Sequence, residues 1–152
     1  SLIMGEPEDE YTTIQAGQAT GELVGGNLSL FTKLVCGKYA VNVQDKILFL
    51  EELGFEAAPE MVNSNIYYLK QNGVFDRIAG LWIGNYEHPS KISLEKIIKN
   101  AIGDEYKFSI IKSDNFGHID KKIIIPIGTK AEINTNEKIK IKLVEKYVDE
   151  GK

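Results

Sequence analysis

Glu51 and His118 are the residues of this sequence whose types and setting best fit catalysis. Glu51 ends the apolar run Ile47-Leu48-Phe49-Leu50 and is followed by Glu52, and His118 closes the tripeptide Phe116-Gly117-His118. A carboxylate at the mouth of a buried strand and an imidazole after a glycine match the orienter and the base of a hydrolytic triad. The nucleophile is not evident. No Gly-x-Ser-x-Gly occurs, and none of Ser29, Ser64, Ser90, Ser93, Ser109 or Ser113 sits on an obvious strand-to-helix elbow. Taken singly, each residue also has an ordinary reading: the glutamates as charges where a buried strand meets water, His118 as a loop residue.

Other chemistries fare less well. His88 is the only second imidazole and Cys36 the only cysteine, too poor a supply for a structural zinc site or an internal disulfide. Cys36 ends an apolar helical segment and is expected to pack as a small buried residue. Gly25-Gly26-Asn27 precedes a helix but matches neither the dinucleotide fingerprint nor the P-loop, and Lys38 lacks a glycine-rich context. The glycines read as a tight strand-to-helix turn, and no cofactor or metal is expected. The net charge of −4 argues against a nucleic-acid surface, because phosphate neutralisation needs clustered excess cations. The longest apolar stretches fall far short of a membrane span, so no membrane partner is expected.

The length of 152 residues suits one domain with a real core. Residues 1–16 read as a polar arm or linker remnant and 17–152 as the domain; Ser1-Leu2 ahead of Met4 fits a fragment of a longer chain. Asn27 is a plausible N-cap for a helix bearing Leu28, Phe31 and Val35 on one face, with Gly37 as its stop. Ile47 to Leu50 reads as a strand covered on both faces, and Pro59 opens a helix with Val62, Ile66 and Leu69 in register, ended by Gly73. Ile78 to Ile83 forms the next strand, Ser93 caps a helix lined by Leu94, Ile97, Ile98 and Ala101, and Phe108 to Ile111 forms another strand. Beyond it, Lys121 to Ile127, Ala131 to Ile133 and Ile139 to Leu143 read as an antiparallel edge section. Trp82, Tyr67 and Tyr68 are compatible with ligand contact, core or interface. The fold class is therefore α/β, with a mainly parallel central sheet and an antiparallel β section near the C-terminus. In such sheets the strand C-termini form the functional rim, where Glu51, Asn85 and His118 can converge.

Five segments taken in order, Gly21 to Ser29, Ile47 to Glu52, Gly73 to Gly80, Phe116-Gly117-His118 and Ile125 to Gly128, resemble the C-terminal domain of the serine LD-carboxypeptidase family. That family includes muramoyl-tetrapeptide carboxypeptidases and microcin C self-immunity proteins, and the resemblance runs from about Gly17 to Ile133. It implies a swivelling β/β/α domain of a cytoplasmic serine hydrolase that acts on a small peptide or peptide-nucleotide substrate. Glu51 matches the family's catalytic glutamate and His118 its catalytic histidine. The resemblance further implies that the nucleophilic serine and most oxyanion donors lie on a preceding N-terminal domain missing from these residues, that the isolated chain is inactive, and that the complete protein is a homodimer.

The sequence departs from many family members where arginine and aspartate are usual, carrying instead Pro59-Glu60-Met61-Val62-Asn63-Ser64, which is nearer the microcin-immunity branch. Glu52 stands where aspartate is common. A cell-wall tetrapeptide and a microcin-type conjugate both remain open as substrates. A different class also remains open, a noncatalytic binding domain that kept the fold. Both site residues are expected at a solvent-accessible rim.

Overall fold

A computed structural model describes residues 2–3, 11–38, 40–52, 57–84, 86–113 and 127–144. In chain order these form β1 (Leu2–Ile3), β2 (Tyr11–Gln15), β3 (Gln18–Asn27), α1 (Leu28–Val35), β4 (Ile47–Glu51), α2 (Pro59–Gln71), α3 (Val74–Arg77), β5 (Gly80–Ile83), α4 (Leu94–Ile102), β6 (Ser109–Ser113), β7 (Lys130–Asn134) and β8 (Ile141–Leu143). The described strands join in the order β1-β8-β7-β3-β4-β5-β6-β2. Strands β3, β4, β5 and β6 are parallel, and β2, β7, β8 and β1 add antiparallel pairings on either side.

Strand β3 belongs to both parts of the sheet. Its first half, Gln18 to Glu22, pairs antiparallel with β7, and its second half, Leu23 to Asn27, pairs parallel with β4. The sheet's two faces bury different cores. Leu48, Leu50, Leu81 and Ile83 join the helices, which contribute Leu28, Phe31, Val62, Ile66, Ile97 and Ile98. Ile47, Phe49, Trp82 and Ile111 instead pack with Ala131, Ile133, Ile141 and Leu143 of the antiparallel section. Strict alternation along β4 and β5 sorts the side chains, because successive residues point to opposite faces.

The helices begin and end as their local chemistry dictates. Asn27 Oδ1 accepts from Leu30 N at 3.2 Å, Ser93 Oγ accepts from Lys96 N at 3.3 Å, and Pro59 opens α2. The apolar stripes expected on α1, α2 and α4 are all buried. The antiparallel section contains β7 and β8 as expected. The strand expected over Lys121 to Ile127 lies outside the described residues except for Ile127, which is in a turn.

Four local expectations change. Within the expected arm 1–16, β1 pairs with β8 and β2 with β6, because at a sheet edge backbone pairing can hold a largely polar segment, with Tyr11 and Ile14 of β2 packing against the two cores. Gly25 and Gly26 are no turn but the last part of β3, paired with Phe49 and Leu50. Cys36 is exposed, not packed: positions 28, 31, 32 and 35 fill the buried stripe of α1, and residue 36 is rotated about 100° away from 35. Finally, β5 starts at Gly80, since Val74 to Arg77 forms the short helix α3 and Ile78 N donates to Val74 O at 3.1 Å.

The β3–β4 contact explains Gly25. Its φ is +144°, and a Cβ there would overlap the Phe49 carbonyl oxygen, far closer than any carbon–oxygen contact allows, whereas one on Gly26, at φ +141°, would meet nothing within 4 Å. Both alanine replacements should carry backbone strain of about 1–3 kcal/mol, and Gly25→Ala should add an overpacking cost of about 1–3 kcal/mol. Chemical denaturation of the two variants checks this: Gly25→Ala should have the lower midpoint, and equal midpoints would refute the close-approach argument.

Candidate functional site

The C-terminal ends of the parallel strands lie along one rim. Asn27, the last residue of β3, pairs in register with Glu51, the last of β4. On the other side Gly84 N donates to Leu50 O at 2.8 Å, and β6 reaches the same rim at Ser113. Glu51 is therefore set between two neighbouring strands. His118 and Asn85, expected at this rim, lie outside the described residues.

Neither glutamate is a solvated charge. Glu51 is only 7% exposed, which corrects the expectation that it is solvent-accessible, and Glu52 is 3% exposed. The same alternation that sorts β4 puts Glu51 on the Ile47 and Phe49 face, toward the antiparallel section. Glu52 turns to the helix face. There its Oε1 accepts from Asn27 Nδ2 at 2.9 Å, and its Oε2 accepts from Ser29 N at 3.1 Å and from Ser29 Oγ at 2.5 Å. Both oxygens act as acceptors, as an ionised carboxylate requires. The carboxylate meets the positive end of the α1 dipole and satisfies a first-turn N–H that Asn27 leaves free. Sequence reading found Asn27 as a cap but missed Glu52 as its partner, since the two are 25 residues apart and β3–β4 pairing is what joins them.

Asn65 Nδ2 of α2 donates to Ser29 Oγ at 3.4 Å, completing a chain from β4 through α1 to α2. Beside it an open groove of about 300 Å3 between α1 and α2 is lined by Ser29, Thr32, Met61, Asn65 and Tyr68 among others. On the opposite face Trp82, fully buried, donates from Nε1 to Ser113 Oγ at 2.7 Å and tilts against Phe49 at a ring separation of 6.4 Å. Trp82 is thus core, while Tyr67 and Tyr68 are largely exposed. His88 is engaged in its own turn: Ser90 N donates to its Nδ1 at 3.1 Å, which leaves the proton of a neutral ring on Nε2. Among the described residues no group of three or more His, Cys, Asp or Glu could hold a metal, and no helix is long and apolar enough to cross a membrane.

Tyr86 reports on the field here. Its hydroxyl donates to Ala57 O at 3.0 Å, and burial first, then the negative charges of Glu52 and Glu60, hold its ionisation above the ordinary tyrosine value of 10.0. Tyr106 is raised as well, chiefly by burial. A raised folded-state value means that the folded protein keeps the phenolic proton longer than the unfolded chain does. The contribution to stability is full below about pH 10 and is lost as pH rises through the folded value. The denaturant midpoint should fall with pH above about 10, and Tyr86→Phe should flatten part of that slope, with Tyr106 and Lys70, which are also raised, contributing to the remainder. An unchanged slope in Tyr86→Phe would remove Tyr86 from the account.

Residues 20–133 match the family model described as the LD-carboxypeptidase C-terminal domain. A probable murein peptide carboxypeptidase of Bacillus subtilis is 31% identical over 145 residues, covering 92% of this chain and 44% of that protein. The crystal structure of an MccF-like protein from Bacillus anthracis superposes with a TM-score of 0.73 at 29% identity, over 90% of this chain and 43% of that one. The microcin C7 self-immunity protein MccF, solved in complex with aspartyl sulfamoyl adenosine, shares the fold with a TM-score of 0.78 at 21% identity, over 95% of this chain and 43% of that one. The chain therefore spans less than half the length of the relatives it matches.

Proposed function

This chain belongs to the LD-carboxypeptidase C-terminal domain family, and from that premise we propose that it supplies the glutamate and histidine of a Ser-Glu-His triad to a cytoplasmic serine carboxypeptidase. The observation that carries the reading is Glu51: a carboxylate only 7% exposed, on the final residue of a central parallel strand. A buried carboxylate in a site of low dielectric is well suited to hold an imidazole in one tautomer and stabilise its protonated form. His118 follows Ser113 by five positions. A five-residue tether spans at most about 17 Å, whereas β4 and β6, separated by β5, lie about 10 Å apart. The tether is long enough for the imidazole to meet Glu51.

In this mechanism His118 removes the proton from a serine hydroxyl that lies beyond these residues, in the portion of the longer protein that the chain does not span. The serine oxygen attacks the amide carbonyl, and the imidazolium then returns the proton to the leaving amine. Glu51 accepts the other imidazole N–H throughout and is not itself protonated. The substrate is a small peptide or aminoacyl-nucleotide amide. The name of the B. subtilis relative supports the cell-wall peptide, and the ligand of the MccF complex supports the nucleotide conjugate. A reducing cytoplasm suits the exposed free thiol of Cys36. The complete protein is a homodimer in this reading, which the exposed apolar side chains Leu30, Leu34, Met61 and Tyr68 on α1 and α2 support.

The test uses the full-length protein with an LD-tetrapeptide and an aminoacyl sulfamoyl nucleotide as alternative substrates. His118→Ala should lower turnover by about 10⁴-fold or more, and Glu51→Gln by about 10³–10⁴-fold, with the double variant far from multiplicative because the two act as one proton-transfer unit. The isolated 152-residue chain should hydrolyse neither substrate. Denaturant midpoints measured on the same samples separate chemistry from folding. Loss of activity only in proportion to loss of folded protein would strike the residue from the site, and hydrolysis by the purified isolated chain, abolished by His118→Ala, would show a nucleophile within it.

A further inference from the structure

The carboxylate of Glu52 has no part in the proton transfers described above, yet it is among the most buried polar groups of the described residues. A buried carboxylate is costly unless fully hydrogen-bonded, so its position calls for a physical reason. Among the described residues, the Asn27 side chain and the Ser29 backbone and hydroxyl all donate to it. Asn27 is the residue paired in register with Glu51. The same Asn27 side chain therefore caps α1 through Oδ1 and grips the residue after Glu51 through Nδ2.

From this arrangement we infer that Glu52 is a positioning residue for Glu51: it clamps the end of β4 to the N-terminus of α1 and so fixes the backbone from which Glu51 projects. The inference rests on the triad reading of Glu51. Three features make the clamp stiff. Charge-assisted bonds to a carboxylate are shorter and stronger than neutral ones, and that from Ser29 Oγ is 2.5 Å. The helix dipole favours the charge where it sits. Asn65 Nδ2 then ties the Ser29 hydroxyl to α2, so that the clamp is held from a second helix. On the far side of β4, Gly84 N holds Leu50 O. The Gly84 bond to Leu50 O and the Glu52 side-chain contacts thus fasten the chain on both flanks of Glu51. A displacement of about 1 Å in a triad member is enough to cost roughly 10²-fold in rate.

The clamp makes Glu52→Gln an informative variant. The amide that replaces one carboxylate oxygen presents N–H groups, so that Ser29 N, Ser29 Oγ and Asn27 Nδ2 can no longer all find acceptors. In the full-length protein Glu52→Gln should lower kcat by about 10–100-fold with KM within about twofold, and Glu52→Asp, which keeps both acceptor oxygens, should recover most of the loss. In a Glu51→Gln background the Glu52→Gln change should add less than about threefold, because a residue that acts only through Glu51 has nothing left to position. Ser29→Ala, which removes one bond of the clamp and no charge, should lower kcat in the same direction by a smaller factor, and it decides the matter if Glu52→Gln fails to fold. Denaturant midpoints accompany each measurement. Wild-type kcat in Glu52→Gln, losses that multiply fully with Glu51→Gln, or a loss that only tracks folded protein would overturn the inference while leaving the triad standing. Full activity in Glu51→Gln alone would bring down the triad reading, and the positioning role with it.

Discussion

The arrangement of the site depends on one strand that changes partners midway. Strand β3 is ten residues long and gives its first half to β7 and its second half to β4. An antiparallel neighbour on one stretch and a parallel neighbour on the next join two β layers without a linker between them. The register of the second half then sets Asn27 opposite Glu51. The contacts of Glu52 with Asn27 and Ser29 follow from that register. A slip of one residue would turn each side chain of β4 to the opposite face and exchange the surroundings of Glu51 and Glu52.

That exchange would matter because the two adjacent carboxylates occupy different environments. Glu51 shares the face of Phe49 and Trp82, an apolar layer closed by the antiparallel strands. Glu52 shares the face of the helices and meets three donors at the N-terminus of α1. One backbone alternation therefore separates a group suited to orient an imidazole from a group suited to hold a helix. Burial strengthens both interactions, since the electrostatic attraction of a carboxylate to a donor grows as water is excluded. The same exclusion raises the Tyr86 phenol, with the charges of Glu52 and Glu60 adding to the effect.

In the triad reading the site is also divided along the chain. The match to the LD-carboxypeptidase C-terminal domain covers residues 20–133, and the relatives are more than twice as long as the stretch they share with this chain. In the proposed function the base and its orienter come from this domain and the nucleophile from outside it, so catalysis requires two surfaces to meet. A rigid rim on this side limits what that meeting has to organise. The sheet ends, the capped helix and the Gly84 contact supply this rigidity.

Much of this was legible in the residues themselves. Asn27 and Ser93 announced their helices because a cap is a local hydrogen bond between residues three apart, and Val62, Ile66 and Leu69 announced the buried face of α2 because helical periodicity repeats along one segment. The apolar run ahead of Glu51 likewise identified a strand covered on both faces. What sequence alone left open was whatever depends on a distant partner. Gly25-Gly26 read as a turn because glycines favour turns, and only the approach of the Phe49 backbone explains Gly25 within a strand. Residues 11–15 read as an arm because their side chains are polar, yet pairing with β6 uses the backbone that every sequence carries. Glu51 and Glu52 read as exposed charges because they are charged, yet both are buried, Glu52 against Asn27 and Ser29 at the N-terminus of α1. Sequence determined which segments become helices and strands, through interactions among near neighbours; tertiary structure alone decided the burial of the two carboxylates and the partners of Glu52, because these hydrogen bonds exist only once β3 and β4 lie side by side.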